Sequence, residues 1–186
     1  MRIKSNQKAF TLLELLVVMA IMAILTVIGI RAFGTVQQKS RDSHRKQGMQ
    51  SINKALELYY NDYKRYPYSS LDGKIEGCGA GALQACSWGD VWQNTSNQTL
   101  YMSELPVDLG GNQYFYIADS QGRSFSLFTY LENTEDSNVV RDTDDNPAYY
   151  SGTSCRISNG SLLTDSCNYV VMSSNTITTP AVVSGN

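Results

Sequence analysis

Histidine is almost missing from this chain: 186 residues contain one, His44. That excludes histidine-rich metal cages. No Walker-type phosphate loop and no G-x-G-x-x-G dinucleotide fingerprint is present. Charge is thin as well, 17% of residues against a usual share of about 25%. Basic side chains are scarcest after residue 63, where six Lys/Arg face thirteen Asp/Glu, so the C-terminal two-thirds offers nucleic acid no basic patch. The lone histidine itself sits in a basic run, Lys39 to Lys46, which reads as the solvated face of a helix or a contact to lipid head groups. Proline occurs four times and never before Pro67, so nothing of that kind interrupts a helix in the first third of the chain.

What the first third does contain is an apolar run, Phe10 to Ile30, in which Glu14 is the only charge. As a helix it would be about 31 Å long, the thickness of a bilayer's hydrocarbon core. A buried core helix would show a polar face, and a cleaved secretory signal has a shorter apolar core ending in an A-x-A site, which Ala20 and Ala23 do not supply. Basic residues flank the run on both sides, so charge does not orient it. The cysteines do. Cys78, Cys86, Cys155 and Cys167 all follow the run, none forms a C-x-x-C, and an even number in a polar region indicates disulfides in an oxidising compartment. Three pairings are open; nearness in sequence favours Cys78 with Cys86 and Cys155 with Cys167.

Periodicity carries the helix further. Met49, Ile52, Leu56, Tyr59 and Tyr63 recur three and four residues apart, and Tyr66-Pro67 is a stop signal, giving one helix from Phe10 to about Tyr63. Gly29, Gly34 and Gly48 are its weak points, with residues 29–34 the softest stretch. After Pro67 the composition turns to Gly, Ser, Asn, Asp and Tyr. Residues 68–99 read as loop-rich, 113–118 and 124–131 as a hairpin with alternating faces around the turn 119–123, and 168–172 as a third strand of an antiparallel meander.

Lys8-Ala9-Phe10-Thr11-Leu12-Leu13-Glu14 followed by the apolar run resembles the prepilin-type signal of type IV pilins and type II secretion pseudopilins. The order helix, loop, Leu105-Pro106-Val107-Asp108, aromatic hairpin, acidic loop is most similar to the major pseudopilin, with Leu109 and Gly110 where that family tends to have Pro and Trp. The resemblance spans residues 8–67 and, in part, 100–131. It implies an α+β fold: a long N-terminal helix, half transmembrane, packed on a small antiparallel head. The implied organisation is a leader (1–9), a transmembrane and filament-core segment (10–31), a protruding amphipathic half (32–66) and an extracytoplasmic head (67–186).

The resemblance also implies cleavage between Ala9 and Phe10 and N-methylation of Phe10 by a prepilin peptidase. It gives Glu14 the role of pairing with the N-terminal amine of a neighbouring subunit. The implied partners are further copies of the chain, minor pilins or pseudopilins, a platform protein, an assembly ATPase and the lipid bilayer before assembly, with no nucleic acid. The localisation is the cytoplasmic membrane, N-terminus inside, then a periplasmic or cell-surface filament. No cofactor is required. Calcium is a candidate because family members can bind it in an acidic loop, and Asp142, Asp144 and Asn146 have alternating oxygen-ligand spacing, although Pro147 stands where an EF-hand has glycine. Catalysis is not expected. A monomeric, membrane-anchored binding module is the alternative, and it would not need Glu14.

Overall fold

The structure, a computed structural model, describes residues 10–158, 161–176 and 180–184, and for residues 28–32 the backbone alone. Helix α1 runs Leu12–Tyr63. Two separately compact units divide at Gln38 and Lys39. In the first, every described side chain from Phe10 to Val27 is exposed, leucines, valines and isoleucines included. Among the described residues no helix is long and apolar enough to cross a membrane; the last three residues of the 21-residue apolar run, 28–30, lie outside the described side chains.

In the second unit the stripe read from the sequence is the buried one: Met49, Ile52, Leu56 and Tyr59 are wholly inaccessible, with Ala55 beside them and Tyr63 packed at the edge. Gly48 is not the defect that propensity suggests. A Cβ there would stand 2.8 Å from the Tyr114 hydroxyl and 3.1 Å from Pro106 Cβ, so the missing side chain lets the helix approach the head. The helix stops where Lys64 takes a left-handed conformation (φ 56°) while its N–H still bonds the Tyr60 carbonyl at 2.8 Å, the geometry glycine usually provides.

Among the described residues twelve short strands follow: β1 Tyr68–Ser69, β2 Ile75–Cys78, β3 Gln84–Ala85, β4 Trp92–Asn94, β5 Thr99–Met102, β6 Phe115–Ala118, β7 Phe125–Thr129, β8 Ala148–Tyr150, β9 Ile157–Ser158, β10 Ser161–Leu162, β11 Tyr169–Met172 and β12 Val182–Ser184. The central sheet has the order β11-β7-β6, antiparallel throughout, which is the meander expected. Its tight turn depends on Asp119, whose carboxylate accepts the N–H groups of Gln121 and Arg123, and on Gly122. Gly122 has φ +65°, and a Cβ would fall 2.7 Å from the Tyr66 carbonyl oxygen.

One expectation needs correction. Residues 68–99 are not merely loop: β1-β2-β3 form one sheet and β4-β5 a hairpin, each interrupted by a register shift. Strands of two to four residues with bulges leave no period to read. Buried Trp92, whose Nε1 donates to the Gly77 carbonyl at 3.0 Å, and the Cys78–Cys86 disulfide hold them together. The hairpin is covered on both faces. Along β7, Phe125 and Leu127 face the core against α1, whereas Phe128 packs with Phe115, Tyr150 and the Cys155–Cys167 disulfide. All five residues of β7 are buried because Tyr150 and the Cys155–Cys167 disulfide cover the second face.

Candidate functional site

At the head of α1, Thr11 and Glu14 close on each other. Thr11 Oγ1 accepts the Glu14 N–H at 3.2 Å, while Glu14 Oε2 accepts both the Thr11 N–H and the Thr11 hydroxyl at 3.1 Å. This reciprocal pair is a capping box: it satisfies amides that the first helical turn leaves without partners and puts a carboxylate at the positive end of the helix dipole. Among the described residues Glu14 Oε1 accepts no hydrogen bond. Ala9 and the rest of the leader lie outside the described residues; Phe10 is within them and 83% exposed.

The second site corrects the reading of Lys39 to Lys46 as a solvated face. Arg45 and Asp42 are each only 2% exposed. Arg45 is the hub: Nε and Nη2 grip Asp108 in a fork, with Nη2 to Oδ1 at 2.9 Å; Nη1 donates to Asp42 Oδ1 at 2.6 Å and Nη2 to Glu132 Oε1 at 2.6 Å. Arg41 also forks onto Glu132, its Nε donating to Oε1 at 2.8 Å. Asp42 in turn accepts the N–H groups of Glu132 at 2.9 Å and Asn133 at 2.8 Å. One turn further, Lys46 binds both oxygens of Asp136 at 2.7 Å and Asn138 Oδ1 at 2.9 Å. Three cations of the helix thus hold the Leu105-to-Asp108 segment and the start of the acidic loop. His44, between them, is exposed.

Proton affinities follow. The hydrogen bonds from Arg41, then those from Arg45, bring the Glu132 carboxyl down to about 2 although burial opposes it. Burial also works against the Arg45 charge, but Asp108, Glu132 and Asp42 outweigh it and the pKa is raised. Every charged group has a partner of opposite sign, three cations serving four carboxylates, so the cluster is built to hold position and leaves no base or nucleophile unpaired.

The calcium candidates Asp142, Asp144 and Asn146 share one turn. Asp142 Oδ1 accepts the N–H groups of Asp144 at 3.0 Å and Asn146 at 2.9 Å, a local turn. Among the described residues no group of three or more His, Cys, Asp or Glu could hold a metal ion, and Glu132 and Asp136 are already bound by Arg41, Arg45 and Lys46.

The buried cluster was missed because each member is ordinary alone. The signal available was the Asp42/Arg45 spacing of three residues together with an aspartate closing Leu105-Pro106-Val107-Asp108: Leu105 is fully buried in the core, and Asp108 meets Arg45.

Comparison with known proteins adds three matches. Residues 4–30 match the prokaryotic N-terminal methylation motif, and residues 33–144 match the type II secretion system (T2SS) protein G family. The chain is 26% identical over 141 residues to the type II secretion system core protein G of Pseudomonas aeruginosa, covering 76% of this chain and 94% of that protein. No solved structure matches significantly.

Proposed function

The chain belongs to the type II secretion system protein G family, and from that premise we propose that it is a structural, non-enzymatic subunit of a secretion pseudopilus. A prepilin peptidase cuts between Ala9 and Phe10 and methylates the new amine of Phe10. The apolar segment is then held in the cytoplasmic membrane with the disulfide-bonded head outside, until a platform protein and an ATPase drive it into a filament with other copies and minor pseudopilins.

The observation that carries this reading is the state of Glu14. Both bonds to Thr11 fall on Oε2, leaving Oε1 able to accept the amine of a neighbouring Phe10 without dismantling the cap. A carboxylate and an ammonium that are each costly in an apolar setting become tolerable as a pair, so their meeting fixes the axial register of successive subunits. The exposed apolar side chains from Phe10 to Val27 are the surface that must be covered, by lipid first and by other copies afterwards.

Glu14→Gln separates this role from capping, because glutamine serves at the same position of a capping box but carries no charge. Membrane insertion should be retained and filament assembly, read by electron microscopy of surface-sheared material, lost. Assembly at the wild-type level would show that Glu14 is only a cap. It would also favour the monomeric anchored module, which has no use for the charge.

A further inference from the structure

The chain beyond residue 144 lies outside the matched family region, and residues 149, 156, 163–166, 183 and 184 line an open cavity of about 480 Å³. One wall is Tyr149 with its cross-strand partner Val183, on β8 and β12. Strand alternation puts them there: Ala148 and Tyr150 are buried against the head, so Tyr149 faces the other way. The opposite wall holds Arg156, Leu163, Thr164 and Asp165. Its backbone is pinned. The Cys155–Cys167 disulfide is wholly buried, and Ser166 Oγ accepts the N–H groups of Cys155 at 2.9 Å and Arg156 at 3.1 Å while donating to the Leu163 carbonyl at 2.7 Å.

Among the described arginines of the head, Arg65 and Arg156 have no carboxylate partner, and of the two it is Arg156 that lines this cavity. Arg41 and Arg45 share Glu132, Arg123 meets Asp119 and Arg141 meets Asp145. Arg156 stacks its guanidinium on Tyr130, 4.6 Å from the ring centroid, and among the described residues it has neither a carboxylate partner nor a side-chain hydrogen bond. Stacking fixes the guanidinium plane and leaves its N–H edge for a planar anion. Asp165 stands in the same cavity, one oxygen accepting the Gly152 N–H. A dianion such as phosphate would be repelled by that carboxylate. A monoanion that also carries hydroxyl donors satisfies both groups, and Leu163, Val183 and the Tyr149 ring supply an apolar wall for carbon-bound hydrogens. The volume is within the usual range for small-molecule sites, roughly 300 to 1,000 Å³.

We propose that this cavity binds a sugar bearing a carboxylate, a uronic acid, with the carboxylate on Arg156 and ring hydroxyls donating to Asp165. The source is either a free monosaccharide or the residue of an acidic polysaccharide.

Calorimetric titration of the full chain in detergent micelles with glucuronate, glucose and a galacturonate oligomer tests this. Glucuronate should bind at least about tenfold more tightly than glucose, and Arg156→Gln should remove that preference while Arg156→Lys retains part of it. Tighter binding of the oligomer than of glucuronate assigns the site to a polysaccharide, and equal or weaker binding to the free sugar. Equal affinity for glucose and glucuronate, no heat with either acid, or an unchanged preference in Arg156→Gln would overturn the proposal. Should Arg156→Gln loosen the lobe, amide chemical-shift changes on adding glucuronate to the wild type decide it: they must centre on residues 149, 156 and 163–166.

Discussion

Arg45 shows how far one side chain can depart from its neighbours in sequence. It sits in a basic run and is buried because Asp42, Asp108 and Glu132 surround it. Removing one member of such a cluster leaves the others charged and dry, so Arg45→Ala should destabilise the head by about 3 to 5 kcal/mol, measured by urea denaturation. The same cluster sets the acid limit. Glu132 is held at about 2 when folded, against about 4.3 for a free glutamate. A depressed carboxylate stabilises the fold above its unfolded pKa and stops doing so as pH falls through the folded one. Stability should therefore decline between roughly pH 4.5 and pH 2, and Glu132→Gln should flatten that decline in a series of thermal melts. Lys64 is a smaller case of the same kind. Its left-handed backbone (φ 56°) suits glycine, so Lys64→Gly should raise stability by about 1 kcal/mol in the same denaturation assay.

At the scale of elements, what was legible in the sequence was what repeats. The stripe from Met49 to Tyr63 has a helical period and one partner face, and the helix runs as read. The hairpin 113–131 and the strand at 168–172 have alternation, a turn built on aspartate and glycine, and no rival pattern. What was not legible had no period. The strands between Tyr68 and Met102 are short and bulged, and they owe their places to Trp92 and a disulfide. Nor could alternation along β7 tell a solvated face from one covered by a distant segment, since Phe128 meets Tyr150 only after the chain returns. The ion cluster was hidden for a similar reason: Arg45 and Glu132 are 87 positions apart. The Cys155–Cys167 bridge secures the segment that covers β7. Replacing both cysteines with serine should cost about 2 to 4 kcal/mol. It should also raise hydrogen exchange at β8 and β12 well before β6, whereas uniform loss across the head would mean that the segment does not unfold by itself.

At the scale of the whole molecule, the uneven distribution of charge acquires a meaning. Residues 1–63 carry nine Lys/Arg against four Asp/Glu, and the remainder six against thirteen. Three of the nine, Arg2, Lys4 and Lys8, precede Phe10, so the proposed cut would move the side-chain balance from −2 in the precursor to −5 in the mature subunit. Arg41, Arg45 and Lys46 are spent within the head on its own acids. The Thr11–Glu14 box lies immediately after the proposed cut, so the helix keeps its cap once the leader is gone. Processing at that bond is what separates a polymerising subunit from a merely anchored one. The intact mass of the chain purified from cells containing a prepilin peptidase should correspond to residues 10–186 with one added methyl group and two disulfides. A mass corresponding to an uncut chain beginning at Met1, or to one cut near Ala20, would contradict it.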